Sequence, residues 1–103
     1  MRASAGALED EIKATVAETK VVVYSKSWCP FCQQTKQLFD SMGVEYKLIE
    51  LDQVTGGDAI QAALLDISKQ RTVPNVFING KHLGGNSDAQ AAYSSGKLQE
   101  MIK

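Results

Sequence analysis

Val21-Val22-Val23-Tyr24, followed at once by Ser25-Lys26-Ser27-Trp28-Cys29-Pro30-Phe31-Cys32, decides the fold. Four consecutive apolar residues, three of them β-branched, form a buried strand. Pro30 suits the first turn of a helix, and Gln33 to Met42 carry a helical pattern through Thr35, Leu38 and Phe39. A strand therefore feeds a helix through a segment that holds both cysteines of the chain. Upstream, Leu8, Ile12 and Val16 recur at helical spacing among charged residues, giving an amphipathic first helix.

Downstream, Gly43 is placed to end the cysteine-bearing helix. Val44 to Leu51 alternates as a second strand with Val44, Tyr46, Leu48 and Ile49 inward. Asp58 is expected to cap a third helix that buries Ile60, Leu64 and Ile67 and ends near Ser68. Thr72-Val73-Pro74 then leads into Val76-Phe77-Ile78. Asn79-Gly80, the strongest hairpin signal in the chain, returns it through a short strand around His82-Leu83. Gly84-Gly85-Asn86-Ser87-Asp88 introduces a helix through Ala89 to Tyr93, and Gly96 sets off a last short one. The order αβαβαββαα implies an α/β fold, a mixed sheet flanked by helices, with the β-α-β start able to run parallel and the hairpin antiparallel.

With 103 residues the chain is expected to form one domain spanning 1–103. Hydrophobic content of 44%, charged content of 22% and a formal net charge of −1 are ordinary for a soluble protein and provide no basic field for nucleic acid. No apolar run approaches membrane-spanning length. The start, Met1-Arg2-Ala3-Ser4-Ala5-Gly6-Ala7 before Glu9-Asp10-Glu11, lacks the apolar core of a secretory signal; it fits a frayed, solvated start or the remnant of an organelle transit peptide. Two cysteines three residues apart do not staple distant parts of a fold, which points to functional thiols in a reducing compartment, the cytoplasm or alternatively a plastid.

Cys29 and Cys32 lie one helical turn apart, so Cys29 is expected at the exposed N-terminal end of the helix with Cys32 partly behind it. Unpaired N–H groups and the helix macrodipole favour a thiolate at Cys29, and Lys26 is placed to add positive charge. A thiol of pKa about 8.5 is about 3% ionised at pH 7, and one of about 7 is roughly half ionised. Lower intrinsic nucleophilicity returns roughly fivefold of that sixteenfold gain, leaving a larger benefit in the sulfur's quality as a leaving group. A zinc site would need two further ligands, and the chain holds one histidine, His82, and no third cysteine, so no metal is expected within one chain. Trp28 and Phe31 fit either core positions or an apolar rim beside the nucleophile.

Lys26-Ser27-Trp28-Cys29-Pro30-Phe31-Cys32, Arg71-Thr72-Val73-Pro74 and Gly84-Gly85-Asn86-Ser87-Asp88, in this order and spacing, closely resemble the dithiol glutaredoxins, from about Val21 to Ile102. Phe31 stands where members of that family commonly have tyrosine. The resemblance implies a thioredoxin-like fold with a four-stranded mixed sheet, a cis peptide bond before Pro74, and glutathione as reducing cosubstrate. It implies that glutathione's cysteinyl part pairs with the backbone of Val73, beside Thr72 and Pro74. The glycine carboxylate would meet Lys26, Gln61 and Arg71, and the γ-glutamyl end would meet Gly85, Asn86, Ser87 and Asp88. Cys29 is then the nucleophile and Cys32 the resolving thiol, supported by Lys26, Pro30 and Phe31. The expected partners are glutathione, glutathionylated or disulfide-containing proteins and, indirectly, glutathione reductase, with a monomer as the simplest state. Two rivals share the motif: a thioredoxin-type reductase, against which the Gly84 to Asp88 segment argues, and a carrier holding a [2Fe-2S] cluster between two subunits, against which Pro30 weighs.

Overall fold

The structure, a computed structural model, describes residues 5–103; Met1 to Ser4, part of the start read above as solvated or as a targeting remnant, lie outside the described residues. Among the described residues, five helices and four strands follow one another as α1 (Ala5–Glu18), β1 (Val21–Ser25), α2 (Pro30–Ser41), β2 (Lys47–Glu50), α3 (Gly57–Ser68), β3 (Asn75–Ile78), β4 (Lys81–Gly84), α4 (Asn86–Ser94) and α5 (Lys97–Ile102). The strands form one sheet in the order β2-β1-β3-β4. β1 runs parallel to β2 and antiparallel to β3, which pairs antiparallel with β4. This is the mixed, helix-flanked sheet that the element order implies.

Burial explains why β1 reads as a continuous apolar run. Val21 and Val23 pack on one face with Leu38 and Phe39 of α2, Ala89 and Ala92 of α4 and Leu98 of α5. Val22 and Tyr24 pack on the other with Ile12 and Val16 of α1 and Ala63 and Leu64 of α3. A strand covered on both sides has no polar face to show. Each wholly buried valine contributes about 1.5–3 kcal/mol relative to exposure. At the far end of β3, Asn79 and Gly80 both take positive φ, 49° and 81°, the geometry of a type I′ hairpin turn.

Two expectations are corrected. Asp58 does not cap α3: the N-cap is Gly56, in the left-handed region at φ 76°, and Asp58 sits in the first turn, where the helix dipole favours it. Gly57 is demanded by a close approach, because a Cβ there would stand 1.7 Å from the carbonyl oxygen of Leu51. The second strand is also shorter than the alternation predicts. Val44 instead closes α2, donating its N–H to the carbonyl of Phe39 at 3.1 Å, and Tyr46 lays its ring 5.8 Å from that of Phe39. Leu48, expected inward, is 39% exposed on the edge strand β2, whereas Ile49 beside it packs against the core.

Candidate active site

At the end of β1 the chain turns sharply, and this turn is fastened from outside. The backbone N–H and the hydroxyl of Ser27 both donate to the carboxylate of Asp52, and Gln33 Nε2 donates to the Ser27 carbonyl at 3.0 Å. The two bonds from Ser27 hold the Asp52 carboxyl below the usual aspartate range. Within the turn, the N–H of Cys29 donates to the carbonyl of Lys26 at 3.1 Å. The ammonium of Lys26 lies 5.7 Å from the centre of the Trp28 ring.

Cys29 is the N-cap of α2, in extended backbone with φ −84° and ψ 119°, and its sulfur accepts the N–H of Cys32 at 3.4 Å. Pro30 occupies the first turn, where its missing N–H costs nothing. The sulfur of Cys29 thus sits at the N-terminal end of α2, against the first backbone N–H groups of the helix. Contrary to the expectation of an exposed end, Cys29 is only 6% exposed. The cause is a loop 44 residues downstream: the Cys29 thiol faces the carbonyl oxygen of Val73 at 3.9 Å, and the Val73–Pro74 peptide bond is cis. Trp28 and Phe31, by contrast, are 67% and 60% exposed and take no part in the core.

Cys32 has no exposure at all. Burial pushes its thiol up to about 11, the neighbouring Cys29 adds to the rise, and contacts with the Lys26 backbone and the Ser25 hydroxyl offset it in part. The folded state therefore holds this proton where the unfolded chain releases it. Since the unfolded state then binds fewer protons, stability is expected to fall between pH 9.0 and about 11. Urea unfolding of the reduced protein across that range should show the decline, and Cys32→Ala should make it shallower, the residual slope above pH 10 coming from Tyr24, whose hydroxyl burial pushes up to about 12; equal slopes for the two would refute the assignment.

Beside Val73 opens a cleft of about 430 Å³ walled by Phe31, Gln70, Thr72, Val73, Pro74 and the run Gly85 to Asp88. Its far wall is the start of α4, whose first-turn N–H groups have no intrahelical partners. The Asp88 carboxylate accepts the Gly85 N–H at 3.0 Å. The Asn86 side chain is turned away toward α2, where its Oδ1 accepts the hydroxyl of buried Thr35 at 2.9 Å and its Nδ2 donates to Gln34. Of the residues singled out in the sequence, Phe31, Thr72, Val73, Pro74, Gly85, Asn86, Ser87 and Asp88 are brought together here. Lys26, Gln61 and Arg71 stand outside the cleft wall, Gln61 donating to the Arg71 carbonyl at 2.8 Å.

Three residues were missed. Asp52 and Ser27 carry no local signal, because their bond spans 25 residues. Gln70 adjoins Arg71, yet only the folded loop shows its use: Nε2 donates to the carbonyls of both Thr72 and Pro74, each at 2.9 Å.

Comparison with known proteins gives a consistent result. The family model described as Glutaredoxin matches residues 21–83. The chain is 53% identical over 90 residues to "Glutaredoxin-C6" of Oryza sativa subsp. japonica, covering 87% of this chain and 80% of that protein. It is 48% identical over 100 residues to "Monothiol glutaredoxin-S12, chloroplastic" of Arabidopsis thaliana, covering 96% of this chain and 56% of that protein. Among solved structures, the buckwheat glutaredoxin-glutathione complex superposes with a TM-score of 0.92 at 46% identity, covering 95% of this chain and 89% of that one.

Proposed function

Since the chain belongs to the glutaredoxin family and is a glutathione-dependent thiol-disulfide oxidoreductase, we propose that Cys29 and Cys32 divide two reactions between them. In the first, the Cys29 thiolate attacks the glutathionyl sulfur of a protein-glutathione mixed disulfide. The protein leaves as a thiolate that takes up a proton, and glutathione remains on Cys29. A second glutathione thiolate attacks that adduct, forms oxidised glutathione and releases the Cys29 thiolate. In the second reaction, the Cys29 thiolate attacks one sulfur of a protein disulfide, and the other sulfur leaves as a thiolate that takes up a proton. Cys32 then attacks the Cys29 sulfur of this mixed disulfide, its proton passing to the protein's second sulfur as that leaves, and Cys29–Cys32 remains oxidised for two glutathiones to reduce.

One observation carries this assignment: the Cys29 sulfur faces the Val73 carbonyl at 3.9 Å on the wall of a cleft whose opposite side is a helix N-terminus. Glutathione is a short extended peptide with a carboxylate at each end. In the proposed pose its cysteinyl backbone pairs with Val73 between Thr72 and Pro74, which aims its sulfur at Cys29. Its γ-glutamyl carboxylate lies on the N–H groups of Asn86 and Ser87, beside Gly85, whose own N–H is held by Asp88, and Asp88 lies near its ammonium. Lys26, Gln61 and Arg71, beyond the cleft, take the glycine carboxylate. Asn86 serves through its backbone, since its side chain is engaged with Thr35 and Gln34.

The proposal extends to a single domain over residues 1–103 acting as a monomer on glutathionylated or disulfide-containing proteins, with glutathione reductase regenerating the cosubstrate. Its compartment is the cytoplasm or a plastid; the Arabidopsis relative is named chloroplastic, and no helix among the described residues is long and apolar enough to cross a membrane. The test is reduction of a glutathionylated peptide by glutathione, glutathione reductase and NADPH, beside a thioredoxin reductase assay of the same preparation. Turnover with glutathione alone is expected. Turnover only with thioredoxin reductase would mean the cleft does not hold glutathione.

A further inference from the structure

We infer that His82 is a positioning residue for the substrate-pairing loop, acting through the side chain of Gln70. Three contacts lead to it in sequence. The two 2.9 Å bonds from Gln70 Nε2 to the carbonyls of Thr72 and Pro74 straddle Val73. They draw both flanking carbonyls onto Gln70, while the Val73 carbonyl is turned to the Cys29 thiol. Those two acceptors also fix the orientation of the amide, since the flipped form would press its oxygen against both carbonyls. The Gln70 Oε1 is therefore the atom that faces His82 Nε2, at 3.2 Å.

An acceptor in that place requires His82 to carry its proton on Nε2, in the neutral ring as in the charged one. His82 in turn has a fixed base. It stands on β4 in register with Phe77 of β3, and the two rings lie 5.3 Å apart. The contacts form a line from the hairpin strand through an imidazole and an amide to the loop that meets substrate. Neither side chain has a part in the bond exchange at sulfur. Their effect belongs to the register in which a bound peptide pairs with Val73, and the inference rests on the glutathione reading of the cleft.

The experiment is steady-state turnover of a glutathionylated peptide by the wild-type protein and by His82→Leu, His82→Gln and Gln70→Glu, with the tautomer of His82 read from ring nitrogen chemical shifts in the wild-type protein. His82→Leu keeps apolar packing on Phe77 and loses the donor. It should raise KM about twofold to twelvefold, the worth of one hydrogen bond of about 0.5–1.5 kcal/mol, with kcat nearly unchanged. His82→Gln, which restores a donor, should recover most of that loss. Gln70→Glu, which removes both donors to the loop, should raise KM at least as much. The wild-type ring should be the Nε2–H tautomer at neutral pH. A wild-type KM in His82→Leu, a fall in kcat at constant KM, or an Nδ1–H tautomer would each overturn the inference. If His82→Leu fails to fold, the tautomer and Gln70→Glu decide. Wild-type protein inactive on the peptide would overturn the glutathione reading and this inference together, whereas active wild type with an indifferent His82→Leu overturns the positioning role alone.

Discussion

Cys29→Ser is expected to abolish both deglutathionylation and disulfide reduction, while Cys32→Ser should retain the first and lose the second. The asymmetry follows from where the two sulfurs sit. Cys29 caps α2 and faces the cleft loop, and Cys32 is wholly buried one turn behind it with its thiol pushed up to about 11. Every step of both proposed reactions passes through a bond to Cys29. A serine hydroxyl at that position does not ionise near neutral pH and forms no disulfide, so the loss should reach on the order of a thousandfold, about 4 kcal/mol of barrier. Cys32 enters only when a bound protein must be released without a second glutathione. Coupled NADPH oxidation with a glutathionylated peptide and with a disulfide substrate separates the cases, and mass spectrometry of Cys32→Ser should find glutathione on Cys29. Loss of both activities in Cys32→Ser would refute the division of labour.

The second large effect is on stability and lies at the entrance to α3. Gly57→Ala should destabilise the protein by about 3 kcal/mol or more, at the upper end of overpacking substitutions, lowering Tm by roughly 12 °C or more. The added methyl would stand 1.7 Å from the Leu51 carbonyl oxygen, and the obstacle is backbone, which has no rotamer by which to retreat. Moving that carbonyl disturbs the end of β2, since the N–H of Leu51 donates to Ser25 at 2.8 Å, directly before the turn that carries Cys29. Gly56→Ala is the control: nothing lies within 4 Å of its Cβ, and its cost is confined to the left-handed backbone, about 1 kcal/mol. Thermal unfolding of the two variants should rank Gly57→Ala well below Gly56→Ala, and equal midpoints would show that α3 shifts freely on Leu51.

The elements that could be read from sequence are those whose evidence is local. Val21 to Tyr24 shows its double burial as an unbroken apolar run, Asn79-Gly80 names its own turn, and Pro30 marks the start of α2. The errors arise where a distant partner decides. Val44 and Tyr46 alternate as a strand would, yet α2 recruits them to its own end through Phe39. Asp58 has the chemistry of a cap, but Gly56 reaches the left-handed conformation that starts the helix one residue before Gly57. The site divides along the same line. The cysteine spacing and the Gly85 to Asp88 helix start are contiguous and were found, whereas the burial of Cys29 by Val73, the fastening of Ser27 by Asp52 and the straddling of Val73 by Gln70 join residues that no short window contains.

Trp28 is the only tryptophan in the chain, and it stands in solvent immediately before Cys29. Indole fluorescence is quenched by a nearby sulfur-sulfur bond and shifts in wavelength when water is excluded from the ring. On the proposed mechanism, all the tryptophan emission of this protein originates beside the bond that changes in each half of the cycle. Oxidation of the sulfur pair is then expected to dim that emission and arrival of a peptide beside Trp28 to shift its wavelength, an optical gauge of redox state that needs no label.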